Sequence, residues 1–250
     1  MTNHKLRVVV VQLFIIGMFL GIWQWGSKVG FINSFIFSSP SKIVETIFTL
    51  FKNGELLGHI GVTLSEILSA FALGIGIAFI VSIFMYMSKF LAAVIDPFLT
   101  MLNSLPKVAL GPIIIIWVGA NRNAIITMSL LINVVVSIIT IYNGFIYTDP
   151  LKIKLFKSFG ATKWQILFKL VIPANVSTIV SALKINISMT LIGVIMGEFL
   201  VSKEGIGYLI IYGTQLFNLN LVLSGIVVLV IISFLLYEII TFIEKRLLNE

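Results

Sequence analysis

Six long apolar stretches, separated by short polar segments, set the pattern of this chain. A membrane-spanning helix needs about 20 consecutive, predominantly apolar residues, and six stretches of the sequence provide this length. We therefore predict an all-α, polytopic membrane protein with about six transmembrane helices and a single domain over residues 1–250. The predicted spans lie near 8–26, 62–87, 90–118, 123–146, 174–201 and 220–243.

The composition supports burial in a lipid bilayer. The chain has 250 residues, of which 59% are hydrophobic and 11% charged, whereas a soluble domain carries roughly 25% charged residues. So few charges cannot cover a water-facing surface. The absence of cysteine excludes disulfides, thiolate metal sites and a cysteine nucleophile. The first apolar run exceeds the core of a signal peptide and lacks a small-residue cleavage site, so we predict a retained helix.

Three prolines interrupt the third predicted span, at positions 97, 106 and 112. Proline removes a helical hydrogen bond and clashes with the preceding turn, so this stretch must bend. Broken backbone at membrane depth is tolerated only where protein or water surrounds it. We expect the 90–118 stretch to lie inside the assembly rather than facing lipid.

Two segments outside the spans have helical patterns of their own. Residues 39–60 open with Ser39-Pro40, a helix-start signal, and predict a short amphipathic helix at the external interface. The loop 147–172 is the longest and most basic of the predicted cytoplasmic loops. Its apolar residues recur at helical spacing among five lysines, and Gly160 divides it. We predict two short amphipathic helices joined at this glycine.

The lysines and arginines indicate the orientation. With the N-terminus inside, the cytoplasmic segments hold ten of these residues and the external segments five, in agreement with the positive-inside rule. Both termini are therefore predicted to be cytoplasmic. Because the basic residues follow the topology, the net charge of +7 indicates lipid rather than nucleic acid as the partner.

Candidate chemistry is sparse. The sequence has no HExxH, GxSxG or Walker-type phosphate loop, so we expect no enzymatic activity and no cofactor. Ser129, Asn133 and Ser137 form a polar stripe in the fourth span, which either packs helices together or lines an aqueous path. Charges inside a bilayer are costly and normally face a cavity or a partner. The residues expected to line a translocation pathway are Lys107, Asn133, Lys184, Asn186 and Glu198.

Two of these ions lie in the same predicted span. Lys184 and Glu198 are fourteen residues apart, about 21 Å along a straight helix. They cannot pair directly, so each needs its own partner. We expect Lys184 to face the pathway and favour an anionic cargo, while snorkelling to the interface is the simpler alternative for Glu198.

The basic loop resembles the EAA loop of binding-protein-dependent ABC importer permeases. That family's pattern is E-A-A-x3-G-x9-I-x-L-P. Gly160 fits the glycine, Leu170 and Ile172 fill the two apolar positions, and Pro173 closes the motif. Lys-Leu-Phe at 154–156 replaces Glu-Ala-Ala, so the usual acidic contact cannot be carried over.

Other motifs resemble one branch of that family, which handles nitrate, taurine and aliphatic sulfonates and includes permeases for thiamine precursors. They cover nearly the whole chain. They are Ser39-Pro40, Asp96-Pro97, Leu-Pro-Lys-Val-Ala-Leu-Gly-Pro at 105–112, Trp-Val-Gly at 117–119 and Gly-Ile-Gly-Tyr at 205–208.

The resemblance implies a type I importer in the bacterial cytoplasmic (inner) membrane. Two copies of the permease would form the pathway, two cytoplasmic ATPase subunits would drive it, and an extracytoplasmic binding protein would deliver a small anion such as a sulfonate, taurine or nitrate. The residues implied to couple to the ATPase are Lys154, Leu155, Phe156, Phe159, Gly160, Ala161, Thr162 and Pro173.

Two other classes of protein are alternatives. A secondary transporter driven by an ion gradient would favour two similar halves with paired broken helices, but only one half here has a clearly broken span. An intramembrane enzyme would need a catalytic constellation that the sequence lacks.

Overall fold

The structure is a computed structural model that describes residues 2–247, with side chains for residues 6–246. Every regular element in this part of the chain is helical. The helices are α1 (Thr2–Val29), α2 (Ser34–Phe37), α3 (Pro40–Lys52), α4 (Glu55–Met87), α5 (Lys89–Ser104), α6 (Gly111–Val118), α7 (Arg122–Ile146), α8 (Pro150–Ser158), α9 (Lys163–Ile166), α10 (Ile172–Ala174), α11 (Val176–Val201), α12 (Ile206–Gln215) and α13 (Leu219–Leu247).

Five of these helices are long and apolar enough to cross a membrane, namely α1, α4, α7, α11 and α13. If the bent pair of α5 and α6 counts as one span, the total is six. The prediction of an all-α protein with about six transmembrane helices is confirmed. Since α7 leads into the 147–172 loop and α11 leaves it, we call that end of the bundle the loop end, and the end that holds residues 119–122 and 202–205 the opposite end.

The centre of the bundle is formed by α4, α7 and α11. Small residues let the helices approach closely: a Cβ at Gly197 on α11 would lie 2.9 Å from the Cα of Ile125 on α7. Gly193, one turn earlier, meets Ser129 on α7 in the same way. The Gly193-x-x-x-Gly197 pair is therefore the seam between these two helices. In contrast, the most apolar 18-residue stretch of α1 has no buried residue, and α1 is tied to α3 through Gln24, whose amide donates to Ser41 Oγ at 3.1 Å.

The third predicted span is broken at Pro106, whereas α5 continues through Pro97 and Pro112 lies in the first turn of α6. The axes of α5 and of the segment 107–118 differ by 89°, and a 3₁₀ turn at Lys107–Leu110 joins them. Within the single chain this segment is peripheral, with Phe98 and Trp117 exposed by 59% and 79%. Its expected position inside an assembly stays a prediction about the oligomer.

Two boundaries differ from the sequence-based expectation. The amphipathic helix predicted over 39–60 is the shorter α3, because a turn at Asn53-Gly54 ends it and residues from Glu55 onward already belong to α4. The sequence pattern also missed α12, which lies between two spans and packs against α13 through Leu209 and Ile210. Its apolar residues continue those of the neighbouring spans, so hydropathy alone does not separate it.

Candidate coupling surface and buried polar centre

The helix α8 at the loop end has two different apolar faces. Ile153 and Phe156 turn inward and pack against the core cluster around Phe145 and Leu167. On the other side Leu151, Leu155 and Phe159 are exposed by 72%, 53% and 80%. These three residues recur every four positions, so they form one stripe along the helix. We call this stripe, with its exposed neighbours Lys152, Lys154 and Lys157, the coupling surface.

Local capping fixes both ends of α8. Asp149 caps the start, where its carboxylate accepts from the Leu151 N–H at 2.8 Å. At the other end the Ala161 N–H donates to the Phe156 carbonyl at 3.1 Å and the Gly160 N–H to the Lys157 carbonyl at 3.0 Å. This pair of bonds is a Schellman motif, which needs a left-handed residue after the helix. Gly160 supplies it with φ of +75°, and its Cα faces open space.

The next helix, α9, begins after Thr162, which forms a capping box. The Thr162 hydroxyl accepts from the Gln165 N–H at 3.3 Å, and the Gln165 side chain accepts from the Thr162 N–H at 2.8 Å. A π-helical turn at Leu167–Val171 follows. Pro173 explains the wider turn, since it has no N–H to donate to the preceding turn. The two short helices joined at a glycine are therefore present.

The coupling residues expected from sequence fall into two groups. Lys154, Leu155, Phe159, Gly160 and Thr162 are exposed and available to a partner. The others serve the fold more directly, because Phe156 and Ala161 pack on the core and Pro173 shapes the turn before α11.

The polar stripe on α7 is buried and bonded to α11. Asn133 Nδ2 donates to Thr190 Oγ1 at 2.6 Å, and Asn186 Nδ2 donates to Ser137 Oγ at 2.7 Å. All four side chains have no exposed surface. This geometry favours helix packing, the first of the two roles open to the stripe, over pathway lining for Asn133 and Asn186.

Glu198 is also fully buried, so snorkelling does not describe it. Its carboxylate lies at the N-terminus of α12 and accepts from the Thr63 hydroxyl at 2.7 Å and the Gly207 N–H at 2.5 Å. A Cβ at Gly205 would lie 2.5 Å from the carboxylate, and one at Gly207 would lie 2.7 Å from its Oε2. The Gly-Ile-Gly-Tyr segment thus accommodates the Glu198 carboxylate. As for the polar stripe, this arrangement favours packing over pathway lining.

Sequence reasoning missed two residues of this centre. Glu66 on α4 is 2% exposed and lies one turn after Thr63, which places its carboxyl group beside that of Glu198. His59, two turns earlier, accepts from the Gly205 N–H through Nδ1 at 2.9 Å. An acidic residue inside the predicted span 62–87 was the available signal for Glu66, whereas nothing local pointed to His59. We call Thr63, Glu66, Glu198 and the 205–207 segment the carboxyl centre.

The two lysines expected at the pathway have different surroundings. Lys184 Nζ lies 2.5 Å from Glu244 Oε2 on α13 and 5.4 Å from the centre of the Tyr237 ring. This is the single ion pair closer than 4 Å among the described side chains. The expectation that Lys184 needs its own partner is met by a neighbouring helix. Lys107 is half-buried at the elbow between α5 and α6.

The two ends of the bundle present different kinds of side chain. Within residues 2–247 no group of three or more His, Cys, Asp or Glu side chains is positioned to hold a metal ion. The loop end presents a rigid apolar and basic surface, and the opposite end has hydrogen-bonded helices around a buried carboxyl pair.

Comparison with known proteins agrees with this architecture. A family model described as the binding-protein-dependent transport system inner membrane component matches residues 70–249. A probable ABC transporter permease protein of Haemophilus influenzae is 32% identical over 93% of this chain and 94% of its own length. An aliphatic sulfonates transport permease protein of Bacillus subtilis is 27% identical over 95% of this chain and 86% of its own.

A solved structure of the MetNI methionine ABC transporter, in an inward-facing conformation, shares the fold. It superimposes with a TM-score of 0.68 at 19% identity, over 78% of this chain and 97% of the matched one. The chain is a multi-pass membrane protein and belongs to the family of binding-protein-dependent transport system inner membrane components, the permease subunits of ABC transporters.

Proposed function

We propose that this chain is the permease subunit of an ATP-driven importer and that α8 docks into a groove of a separate cytoplasmic ATPase. The observation that carries the proposal is the exposed stripe of Leu151, Leu155 and Phe159 on a helix capped at both ends. An apolar stripe presented to water at a membrane surface marks an interaction site.

The two faces of α8 have different roles in transmitting movement. The inward Ile153 and Phe156 fix α8 to the core around α7, while the outward stripe supplies contact area. The flanking lysines suit an acidic rim on the ATPase and steer the two subunits together. Closure of an ATPase pair would then move the permease as rigid bodies between inward-open and outward-open states.

A second copy of the chain would complete the pathway. Support comes from the broken segment, because α5 and α6 leave Phe98 and Trp117 exposed, and irregular backbone needs protein or water around it. In this proposal Lys107, at the elbow of the break, lines the space between the two copies. An extracytoplasmic binding protein would deliver the cargo at the opposite end.

Reconstitution tests the energy source. The permease, co-expressed with a candidate ATPase and a candidate binding protein from the same organism, should take up cargo into proteoliposomes in the presence of ATP. Collapse of ion gradients with ionophores should leave the rate unchanged. Uptake that follows an ion gradient and ignores ATP would establish the secondary transporter instead.

The orientation has its own test, and the cysteine-free sequence makes it direct. With both termini cytoplasmic, cysteines at Asn121 and Ser202 should react with an impermeant maleimide in intact cells. A cysteine at Thr162 should react only after permeabilisation. Labelling of Thr162 in intact cells would reverse the topology.

For the cargo we propose a small organic or inorganic anion such as a sulfonate, taurine or nitrate. The similarity to the B. subtilis permease named for aliphatic sulfonates supports this class, and Lys107 would provide a positive charge near the path. A thiamine precursor is the alternative cargo. Identification of the ligand that co-purifies with the binding protein encoded beside this gene decides between them.

A further inference from the structure

Two carboxyl groups share a buried site at the opposite end of the bundle. Glu66 on α4 and Glu198 on α11 are neighbours, because Thr63, one turn before Glu66, donates to the Glu198 carboxylate. Only 2% and 0% of their surfaces are exposed. A carboxylate can only accept hydrogen bonds. A hydrogen bond between two carboxyl groups therefore requires a proton on one of them.

The donors around Glu198 account for one negative charge. Thr63 donates its hydroxyl proton to Oε1, and the Gly207 N–H donates to Oε2. These groups stand at the start of α12, where the helix dipole favours an anion. The Thr63 hydroxyl is itself oriented, because it accepts from the Ile206 N–H at 2.8 Å. Glu198 is thus built to be the ionised member.

The surroundings of Glu66 do not provide for a second negative charge. Its Oε2 is buried and has no hydrogen-bond partner among the described side chains. Arg122 on α7, which lines the same cavity, donates from Nη2 to the hydroxyls of Ser65 and Ser69 at 3.1 and 3.3 Å and makes no ion pair within 4 Å in the described part of the chain. An unpartnered carbonyl oxygen is much less costly to bury than an unpartnered carboxylate oxygen.

We propose that Glu66 and Glu198 form a proton-binding site in which a protonated Glu66 donates a hydrogen bond to an ionised Glu198. The bound proton joins α4 to the junction of α11 and α12. Glu66 also lines a cavity of about 460 Å³ at the opposite end of the bundle, together with Asn121, Arg122 and Lys203. This cavity gives the proton a route to the aqueous phase.

Charges from every neighbouring element bear on the site. Arg122 approaches from α7, Lys203 and Glu204 from the loop after α11, and His59 from the start of α4. Loss of the proton leaves two carboxylates in contact, which repel each other. The contact between α4 and the α11–α12 junction should therefore weaken as the pH rises, and the site makes the opposite end of the permease sensitive to pH.

Thermal unfolding of the full-length chain in detergent, followed by intrinsic fluorescence, tests this directly. Between about pH 6.5 and pH 9.5 we expect the wild-type Tm to fall by about 4 °C or more beyond that of Glu66→Gln, a shift of the size that one weakened contact gives in a domain of this length. The amide of Glu66→Gln donates the same hydrogen bond without a titrating proton. Glu66→Leu cannot donate and should be less stable than Glu66→Gln at both pH values.

The matched control is Glu45→Gln, an exposed carboxyl on α3 outside the carboxyl centre and its cavity, which should retain the wild-type pH response. An equal alkaline fall for wild type and Glu66→Gln would overturn the proposal. So would a Glu66→Gln chain as unstable as Glu66→Leu at the lower pH, because Glu66 would then act as a charged partner of Arg122. If sodium stabilises the wild type relative to choline at equal ionic strength, the site binds a metal cation instead of a proton, and the proposal is overturned.

A spectroscopic readout covers the case in which the variants do not fold. The wild-type chain in lipid should show the infrared C=O stretch of a protonated buried carboxyl group at neutral pH, and this band should vanish at alkaline pH. Absence of the band at neutral pH would also overturn the proposal.

Discussion

The coupling surface and the carboxyl centre lie at opposite ends of the bundle and are stabilised in opposite ways. At the loop end, the caps of α8 and α9 join residues two to five positions apart, and the apolar stripe is left in water. In the carboxyl centre, the Thr63 to Glu198 bond links residues 135 positions apart, and the side chains are buried. One region is a preformed surface that awaits a partner, and the other is complete within the chain.

The difference teaches where a change will be felt. A side chain of the coupling surface can be altered with little effect on folding, because it is largely exposed. A residue of the carboxyl centre joins elements distant in sequence, so its loss affects the packing of α4, α11 and α12 together. The predictions below test this contrast, beginning with the largest effect.

Gly205→Ala should have the largest effect on folding. The new Cβ would lie 2.5 Å from the Glu198 carboxylate, at a backbone φ of +104°. Overpacking and left-handed strain together should cost about 3 kcal/mol or more. Membrane abundance and the Tm of the purified chain measure the loss. The control is Gly58→Ala on α4, where a Cβ meets open space. Equal stability of the two variants would contradict the close contact between Gly205 and the Glu198 carboxylate.

Phe156→Ala and Phe159→Ala should separate the two faces of α8. Phe156 packs on the core, so its truncation should lower the free energy of unfolding by about 2 kcal/mol. Phe159 is 80% exposed, so its truncation should change stability by less than about 0.5 kcal/mol while weakening association with the ATPase. Thermal unfolding and co-purification measure the two effects. A stable Phe156→Ala chain with an unstable Phe159→Ala chain would invert the assigned faces.

Gly160→Val should disturb the junction between α8 and α9. The left-handed conformation disfavours valine by about 1–2 kcal/mol, although space for the side chain is free. The permease should still reach the membrane, but substrate-stimulated ATPase activity and uptake should fall. Gly160→Asn, which tolerates positive φ, is the control and should retain more of both activities. Normal uptake by Gly160→Val would remove this residue from coupling.

Lys184→Met should have the smallest effect on folding and should reduce uptake while the ATPase stays bound. We expect the lower uptake because the substitution leaves Glu244 without its cation. Lys184→Met combined with Glu244→Gln should restore uptake, and Lys184→Arg should retain more uptake than Lys184→Met. Initial rates in proteoliposomes measure all three variants. A double variant as slow as Lys184→Met would show that the lysine charge itself serves the cargo.

The two short helices of the 147–172 loop were predictable from sequence because their signals are local. The Gly160-to-Pro173 spacing, the helical recurrence of Leu155 and Phe159, and the break near Pro106 each depend on a few neighbouring positions. Local rules of capping and proline geometry act on such patterns directly.

The carboxyl centre was not predictable in the same way. Glu198 is far in sequence from Glu66 and His59, and only the packing of α4 against α11 and α12 brings it to them. Hydropathy also hid α12 and gave no sign that Lys184 would meet Glu244, 60 positions away. In each case the missing information is the arrangement of helices around one another, which periodicity along one helix does not contain.

Protection of the coupling surface from labelling tests the central claim most directly. In the cysteine-free chain, a cysteine at Leu155 and another at Ile153 are labelled with maleimide, in the free permease and in the purified complex with its ATPase. We expect Leu155→Cys to react readily in the free permease and to be protected in the complex, and Ile153→Cys to react slowly in both. Equal labelling of Leu155→Cys with and without the ATPase would contradict the assignment of this helix as the coupling surface.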